Sequence, residues 1–252
     1  MKNLEMECYL DHLLGSSAIQ DESLNGLQVE GKCEITKAAF AVSACEEAFS
    51  KAASEGADAL IVHHGLFWKN KGVEPVRGVL RRRLIPLFAS EMNLFAYHLP
   101  LDAHPQLGNN AKAAQDLGLG EMEPFCEYHG TKIGVSGSLP SPLPLGEAVG
   151  KLEEYYGHSA LVLPFGKKDV KTVGIVSGGA PYEVRQAAEK GLDLYVTGEA
   201  AEPVYYLARE LGMNMVSLGH YATERIGVLA LMDHFANILG METVFVELDN
   251  PL

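Results

Sequence analysis

An α/β fold made of two related halves, each a helix-covered sheet, is predicted by three features of this chain. The first is alternation. Short apolar runs of strand length, such as residues 38–43, 59–62, 94–97, 194–197 and 215–218, are separated by stretches of helical length. The second is an internal echo. Residues 42–64 read Val-Ser, a helix-like stretch, then Glu55-Gly56-Ala57-Asp58 running into an apolar strand and His63-His64; residues 176–199 read Val-Ser, another helix-like stretch, then Lys190-Gly191-Leu192-Asp193 running into a strand and Gly198-Glu199. That period is far longer than a solenoid repeat, so it suggests a duplication. The third is a set of three segments, Ile61-Val62-His63-His64-Gly65, Tyr97-His98-Leu99-Pro100-Leu101-Asp102 and Gly219-His220-Tyr221-Ala222-Thr223-Glu224, each following an apolar run. In open α/β sheets, ligand sites gather beyond the carboxyl ends of the strands. The two halves are expected to meet at a shared metal-binding cleft.

Taken in order, residues 3–14 form an amphipathic helix with Leu4, Leu10, Leu13 and Leu14 on one side. Asn25-Gly26 turns the chain into a short strand at 27–29, closed by Gly31. A strand at 38–43, a helix at 46–55 stopped by Gly56 and a buried strand at 59–62 follow, then a helix at 78–90 and a strand at 94–97. Pro100 biases Leu99 away from the α region, so His98 and Asp102 are expected on a loop. Residues 134–144, with Gly, Ser and Pro140, Pro142 and Pro144, are the clearest break in pattern. A hinge is therefore placed within 120–145, dividing the chain into halves 1–130 and 131–252. The second half continues with strands at 170–177, 194–197, 215–218 and 243–247 and helices at 182–190, 203–211 and 223–239.

Composition narrows the function classes. The chain has 252 residues, enough for one large or two small domains, and a formal charge of −13, which argues against a general polyanion-binding surface. A nucleic-acid partner stays open only through a local basic pocket. Arg81-Arg82-Arg83 is the one basic cluster, read as a solvated helix face. Cys8, Cys33, Cys45 and Cys126 show no C-x-x-C spacing and read as reduced thiols. With no signal-peptide pattern and no bilayer-length apolar run, the expectation is a cytoplasmic chain without a membrane partner. Ser177-Gly178-Gly179-Ala180-Pro181, between a strand and a helix, offers a weak backbone phosphate site. The P-loop, dinucleotide and serine-hydrolase motifs are absent.

A single histidine after a strand is more often a hydrogen-bonded core or surface residue than a ligand. Adjacent His63-His64 is harder to dismiss: on an extended strand they face opposite ways, so both reach one site only where the strand ends, and Gly65 fits such an ending. Four imidazoles (His63, His64, His98, His220) and two carboxylates (Asp102, Glu224) suit Zn, Fe(II) or Mn(II), and exceed what one tetrahedral ion needs. The reading is a two-metal centre.

The segments Asn25–Gly31, Asp58–Gly65, His98–Asn110, Thr197–Glu202 and Gly219–Glu224 resemble the dinuclear-metal proteins named GTP cyclohydrolase 1 type 2 homologues, in particular their short bacterial, YbgI-like branch. The similarity runs from the N-terminal helix to the tail at 245–252. The resemblance implies metal ligands at His63, His64, Asp102, His220 and Glu224, with Glu224 bridging two divalent ions per subunit. It puts His98 and Glu199 beside the centre, as candidates for orienting ligands or moving protons, with His98 preferred because it lies four residues before Asp102. His104 receives no role, and His12, His129, His158 and His234 have no motif around them. The resemblance further implies a ring-shaped homohexamer and a small-molecule substrate of nucleotide type, opened by a GTP cyclohydrolase-type hydrolysis. The alternatives are a non-catalytic metal-binding or metal-delivery protein and a ring that handles nucleic acid.

Overall fold

The computed structural model describes all residues, Met1–Leu252. In chain order its elements are α1 (Asn3–Leu14), β1 (Gly26–Val29), β2 (Lys37–Ser43), α2 (Glu46–Ser54), β3 (Ala59–His64), α3 (Gly78–Ala89), β4 (Asn93–Ala96), α4 (Leu99–Asp102), α5 (Asn109–Asp116), β5 (Gly120–Tyr128), β6 (Thr131–Pro144), α6 (Leu145–Tyr156), β7 (Leu161–Pro164), β8 (Asp169–Ile175), α7 (Val184–Lys190), β9 (Leu194–Thr197), α8 (Glu202–Leu211), β10 (Asn214–Ser217), α9 (His220–Leu239) and β11 (Glu242–Phe245). No helix is long and apolar enough to cross a membrane.

The chain forms two compact units. The first comprises residues 1–104 and 227–249, the second 105–226 and 250–252. This corrects the division at 130/131. The Gly/Pro-rich stretch is no hinge but β6, which forms an antiparallel hairpin with β5 and pairs on its other side with β8. Its prolines are tolerated because Pro140 and Pro142 fall in a register break between Ser138 and Leu143, where the ladder needs no N–H. The chain also returns to the first unit at Gly227, inside α9.

The first unit's sheet has the order β1-β4-β3-β2-β11, parallel except for β1. Its central strands are buried along almost their whole length, as the uninterrupted apolar runs require. Phe235 of α9 packs edge-on against Phe40 of β2 at 5.3 Å, and Tyr9 of α1 reaches His234 at 2.6 Å. The second unit's sheet has the order β5-β6-β8-β9-β10-β7. Its core gathers Leu152 and Tyr156 of α6 with Val173, Ile175, Val196 and Val216 of the sheet.

The duplication is visible in side-chain detail. In the first unit, Asn93 Oδ1 accepts from Gly31 N (2.9 Å), and Asn93 Nδ2 donates to Lys32 O (2.9 Å) and Asp58 O (3.1 Å). In the second, Asn214 Oδ1 accepts from Gly166 N (2.8 Å), and Asn214 Nδ2 donates to Lys167 O (2.8 Å) and Asp193 O (3.0 Å). Asp58 accepts from the amides of Thr36 and Lys37 and pairs with Lys32; Asp193 accepts from those of Lys171 and Thr172 and pairs with Lys167. Strands β1-β4-β3-β2 thus correspond to β7-β10-β9-β8. Counting forward from the matched aspartates, His63-His64 fall opposite Gly198-Glu199.

These aspartates tie the start of one strand to the loop before the next. Burial pushes the Asp58 carboxyl up, but Lys32, Thr36 and the Thr36 and Lys37 amides outweigh it and bring it to about 2, below its ordinary 3.8. Its stabilisation is therefore complete above pH 3.8 and lost as pH falls from there through about 2. Asp58→Ala is expected to cost about 2–4 kcal/mol at neutral pH. Urea midpoints should show the variant's deficit at pH 6 shrinking towards pH 2, and a deficit independent of pH over this range would refute the assignment.

Candidate metal centre

In the first unit, β3 ends at His64, so the chain leaves the sheet where both imidazoles can turn to one side, and their ring centroids lie 4.7 Å apart. Gly65 is required by crowding: a Cβ there would lie 2.6 Å from Ala96 Cβ and against the Gln28 amide. His98 arrives from the neighbouring end of β4, with its ring centroid 5.0 Å from that of His63 and 5.6 Å from that of His64. One ligand atom from each of His63, His64 and His98 falls within 4.8 Å of the others. Asp102 does not sit on a loop, as Pro100 had suggested, but ends the single helical turn α4. Proline is acceptable in a first turn, where its missing N–H has no intrahelical partner to lose. That turn brings Asp102 Oδ2 to 3.5 Å from His63 Nε2.

In the second unit, α9 starts at His220 directly after β10, and one helical turn later Glu224 presents its carboxylate on the same face. His220 Nε2 and Glu224 Oε2 are 3.0 Å apart, and Glu224 is 3% exposed. Glu199, beyond the end of β9, lies 2.6 Å from His220 Nδ1. Burial would lower the His220 pKa, but Glu224 and Glu199 together raise it to about 9. The carboxylates that hold this proton form an electronegative pocket suited equally to a divalent cation, which must displace the proton to bind.

One feature unites the four histidines: each has its Nδ1 engaged by an oxygen. His63 Nδ1 donates to the Tyr97 carbonyl (3.2 Å), and His64 Nδ1 lies 3.0 Å from Ser43 Oγ. His98 Nδ1 lies 2.9 Å from Asp21 Oδ1, and His220 Nδ1 faces Glu199. A partner on Nδ1 fixes the ring and turns Nε2 towards the site, the arrangement found at metal-bound histidines. The donor set, imidazole with carboxylate, therefore fits Zn, Fe or Mn in chemistry and in orientation.

Asp21 and Ser43 carry no signal in the sequence. Asp21 makes an ordinary turn bond to Ser23 N (3.0 Å), and this local pattern gives no hint that it also receives His98 and the Leu99 amide. Burial would raise its pKa, but His98, Ser23 and Asn25 together hold Asp21 well below the usual carboxylate range. Glu199 also lies beside the centre, and its observed contact is the one that orients His220. His104 is half-buried, and burial lowers its pKa despite a Leu13 backbone bond.

The phosphate reading of residues 177–181 does not survive. Ser177 N donates to Asn110 Oδ1 (2.7 Å), Gly178 N to Thr223 Oγ1 (3.0 Å) and Ala180 N to Gly178 O (3.2 Å), so these amides serve the turn itself. The helical segment that Pro181 opens is a single tight turn leading into the short α7. Gly178, at φ +67°, is there for space: a Cβ would overlap Glu224 Oε1 and come within 3.1 Å of His220 Nε2.

Comparison with known proteins agrees with this architecture. The family model described as Duf34/NIF3 (NGG1p interacting factor 3) matches residues 1–251. A protein of Archaeoglobus fulgidus named GTP cyclohydrolase 1 type 2 homolog is 42% identical over 252 residues, covering all of both chains. One of the same name from Pyrococcus horikoshii is 45% identical over 98% of this chain and 97% of its own. Among solved structures, protein ybgI, described as of unknown function, superposes with a TM-score of 0.93 at 39% identity, covering both chains completely. TTHA1606 from Thermus thermophilus gives 0.91, also at 39% and with full coverage of both.

Proposed function

This chain belongs to the Duf34/NIF3 family, and from that premise we propose that it is a dinuclear metal-dependent hydrolase acting on a purine nucleotide or a related heterocycle. The observation that carries the reading is the common engagement of Nδ1, which in His63, His64 and His220 leaves Nε2 as the nitrogen for ligation and in His98 leaves Nε2 for proton transfer. His63, His64, Asp102, His220 and Glu224 would hold the two ions, Zn, Fe or Mn, with both depending on the Glu224 carboxylate.

When bound, two such ions supply Lewis-acid polarisation of an electrophile and a lowered pKa for a nearby water. The chain's own residues supply the rest. Buried Asp21 holds the His98 ring by Nδ1, so His98 Nε2 is the atom that takes up and returns a proton as a substrate ring opens. Glu199 orients His220 and keeps its Nε2 directed at Glu224. A homohexameric ring in the cytoplasm completes the reading, and mass photometry of the purified chain checks its subunit count.

The decisive test is metal content. Protein purified without chelator should carry close to two divalent ions per chain, and Glu224→Ala should lose most of both, since both would depend on that carboxylate. Full retention of metal in that variant would overturn the ligand assignment. Metal without turnover across a purine-nucleotide panel would instead favour a metal-delivery role.

A further inference from the structure

Beside the proposed ligands, the first unit holds a pocket of about 350 Å³, lined by Leu24, Phe67, Trp68, Lys71, Glu74 and Arg83 among others. That volume is within the range of small-molecule sites. The pocket adjoins the histidines: the Trp68 ring lies edge-on to His98 at 5.1 Å and 6.3 Å from His64.

Its floor is built. Trp68 Nε1 donates to Gly65 O (3.0 Å), and Gln28 Oε1 accepts from the amides of Leu66 (2.7 Å) and Phe67 (3.2 Å). Leu24 N donates to Phe67 O (3.1 Å) and Lys69 N to Glu22 O (2.7 Å), so the segment carrying Trp68 is clamped to residues 22–28. Its rim is of another kind. Residues 71–79 are exposed, with Val73 at 102%, and the backbone bonds found there are local, Lys71 N to Trp68 O and Arg77 N to Pro75 O.

The charge of this region runs against that of the chain. Lys69, Lys71, Arg77, Arg81, Arg82 and Arg83 place six of the 20 Lys and Arg residues within 69–83, against one acid, Glu74. Some of these cations are engaged elsewhere: Arg82 pairs with Glu46 at 3.1 Å and Lys69 Nζ donates to Asp21 O. Lys71 and Arg83 line the pocket, and Lys71 Nζ stands 5.8 Å over the Trp68 ring. A pocket that joins an aromatic face to two cations, one of them above that face, recognises a particular chemistry.

We propose that this pocket is the recognition subsite of the metal centre, binding a flat aromatic ring that carries an anionic group. The ring lies against Trp68 and the anion is held by Lys71 and Arg83, while Glu74 supplies one acceptor for a ring N–H. The subsite rests on the hydrolase reading for its role but not for its detection. Trp68 is the only tryptophan in the chain, so its emission reports this pocket alone.

The test titrates the full-length protein as purified with four probes: a purine nucleoside monophosphate, its parent nucleoside, naphthoate and inorganic phosphate. Saturable quenching of Trp68 below about 1 mM is expected from at least one ring-bearing anion. The nucleotide doing so identifies a phosphate-bearing ligand; naphthoate alone identifies an aromatic acid. Parent nucleoside and inorganic phosphate should each need at least tenfold more, and Lys71→Ala/Arg83→Ala should weaken the ring-bearing anions by at least tenfold, about 1.4 kcal/mol. The proposal is overturned if neither ring-bearing anion quenches saturably, if the nucleoside binds as well as its phosphate, or if the double variant binds like the wild type. Repeating the titration on Glu224→Ala separates the two readings, because quenching should persist there when metal is lost.

Discussion

Gly178→Ala is expected to cut metal affinity by about 10²-fold or more and to lower stability by about 1–3 kcal/mol, although residue 178 ligates nothing. Two costs coincide at this position. Its φ of +67° is one an alanine adopts only under strain, and the added Cβ would overlap Glu224 Oε1. The turn has little room to yield, since Gly178 O accepts from the amides of Gly198 (3.0 Å) and Glu199 (3.1 Å) while its N–H is held by Thr223. The side chain that gives way is therefore the Glu224 carboxylate. Gly179 provides the control: a Cβ there meets Glu199 Oε2 at 3.4 Å, an ordinary contact, and its φ is not in the left-handed region. Elemental analysis of both variants, with thermal melts, should show metal lost from Gly178→Ala and nearly retained in Gly179→Ala. Equal metal in the two would mean that the glycine is there for the turn alone.

The same glycine shows where sequence reading stops. Ser177-Gly178-Gly179 was legible as a tight turn between strand and helix, which it is. The reason for its first glycine is a carboxylate further along the chain, and no local pattern carries that information. Features that depend on one strand or one helix face were read well. The central parallel strands are buried on both faces and so appear as continuous apolar runs, and His63-His64 at the end of β3 were legible because Gly65 follows them. The repeat was legible for a related reason: Asp58 and Asp193 precede their strands at the same spacing, although their hydrogen bonds could not be foreseen. The β5–β6 hairpin was missed because Gly and Pro break its alternation, and the register break that accommodates Pro140 and Pro142 is set by the partner strand β8. Asp21 was missed because its site partners, His98 and the Leu99 amide, lie 77 and 78 positions away.

His98→Gln should leave metal content near that of the wild type and slow turnover of a nucleotide substrate, found by panel screening, by about 10²-fold or more. The argument starts from Asp21, buried and accepting from Ser23 N, Asn25 Nδ2, His98 Nδ1 and Leu99 N at 2.9 to 3.0 Å. With four donors on two oxygens, this carboxylate holds the His98 ring and the turn after β4 in one arrangement, and Nε2 is then the only ring position that can exchange a proton on the side of His63 and His64. Glutamine keeps a donor for Asp21 and a polar end near the old Nε2, but it cannot cycle a proton. A merely orienting role would survive that exchange with little loss of rate. A ligating role would show first in the metal content, because an amide oxygen is a poor substitute for imidazole at a transition ion. Asp21→Asn gives an independent check. It keeps the shape of the acceptor but removes its charge, so it should reduce activity by about 10–100-fold through a loosened imidazole, again with metal largely in place. Loss of metal in both variants would move His98 into the ligand set; near wild-type rates in both would remove it from the proton path.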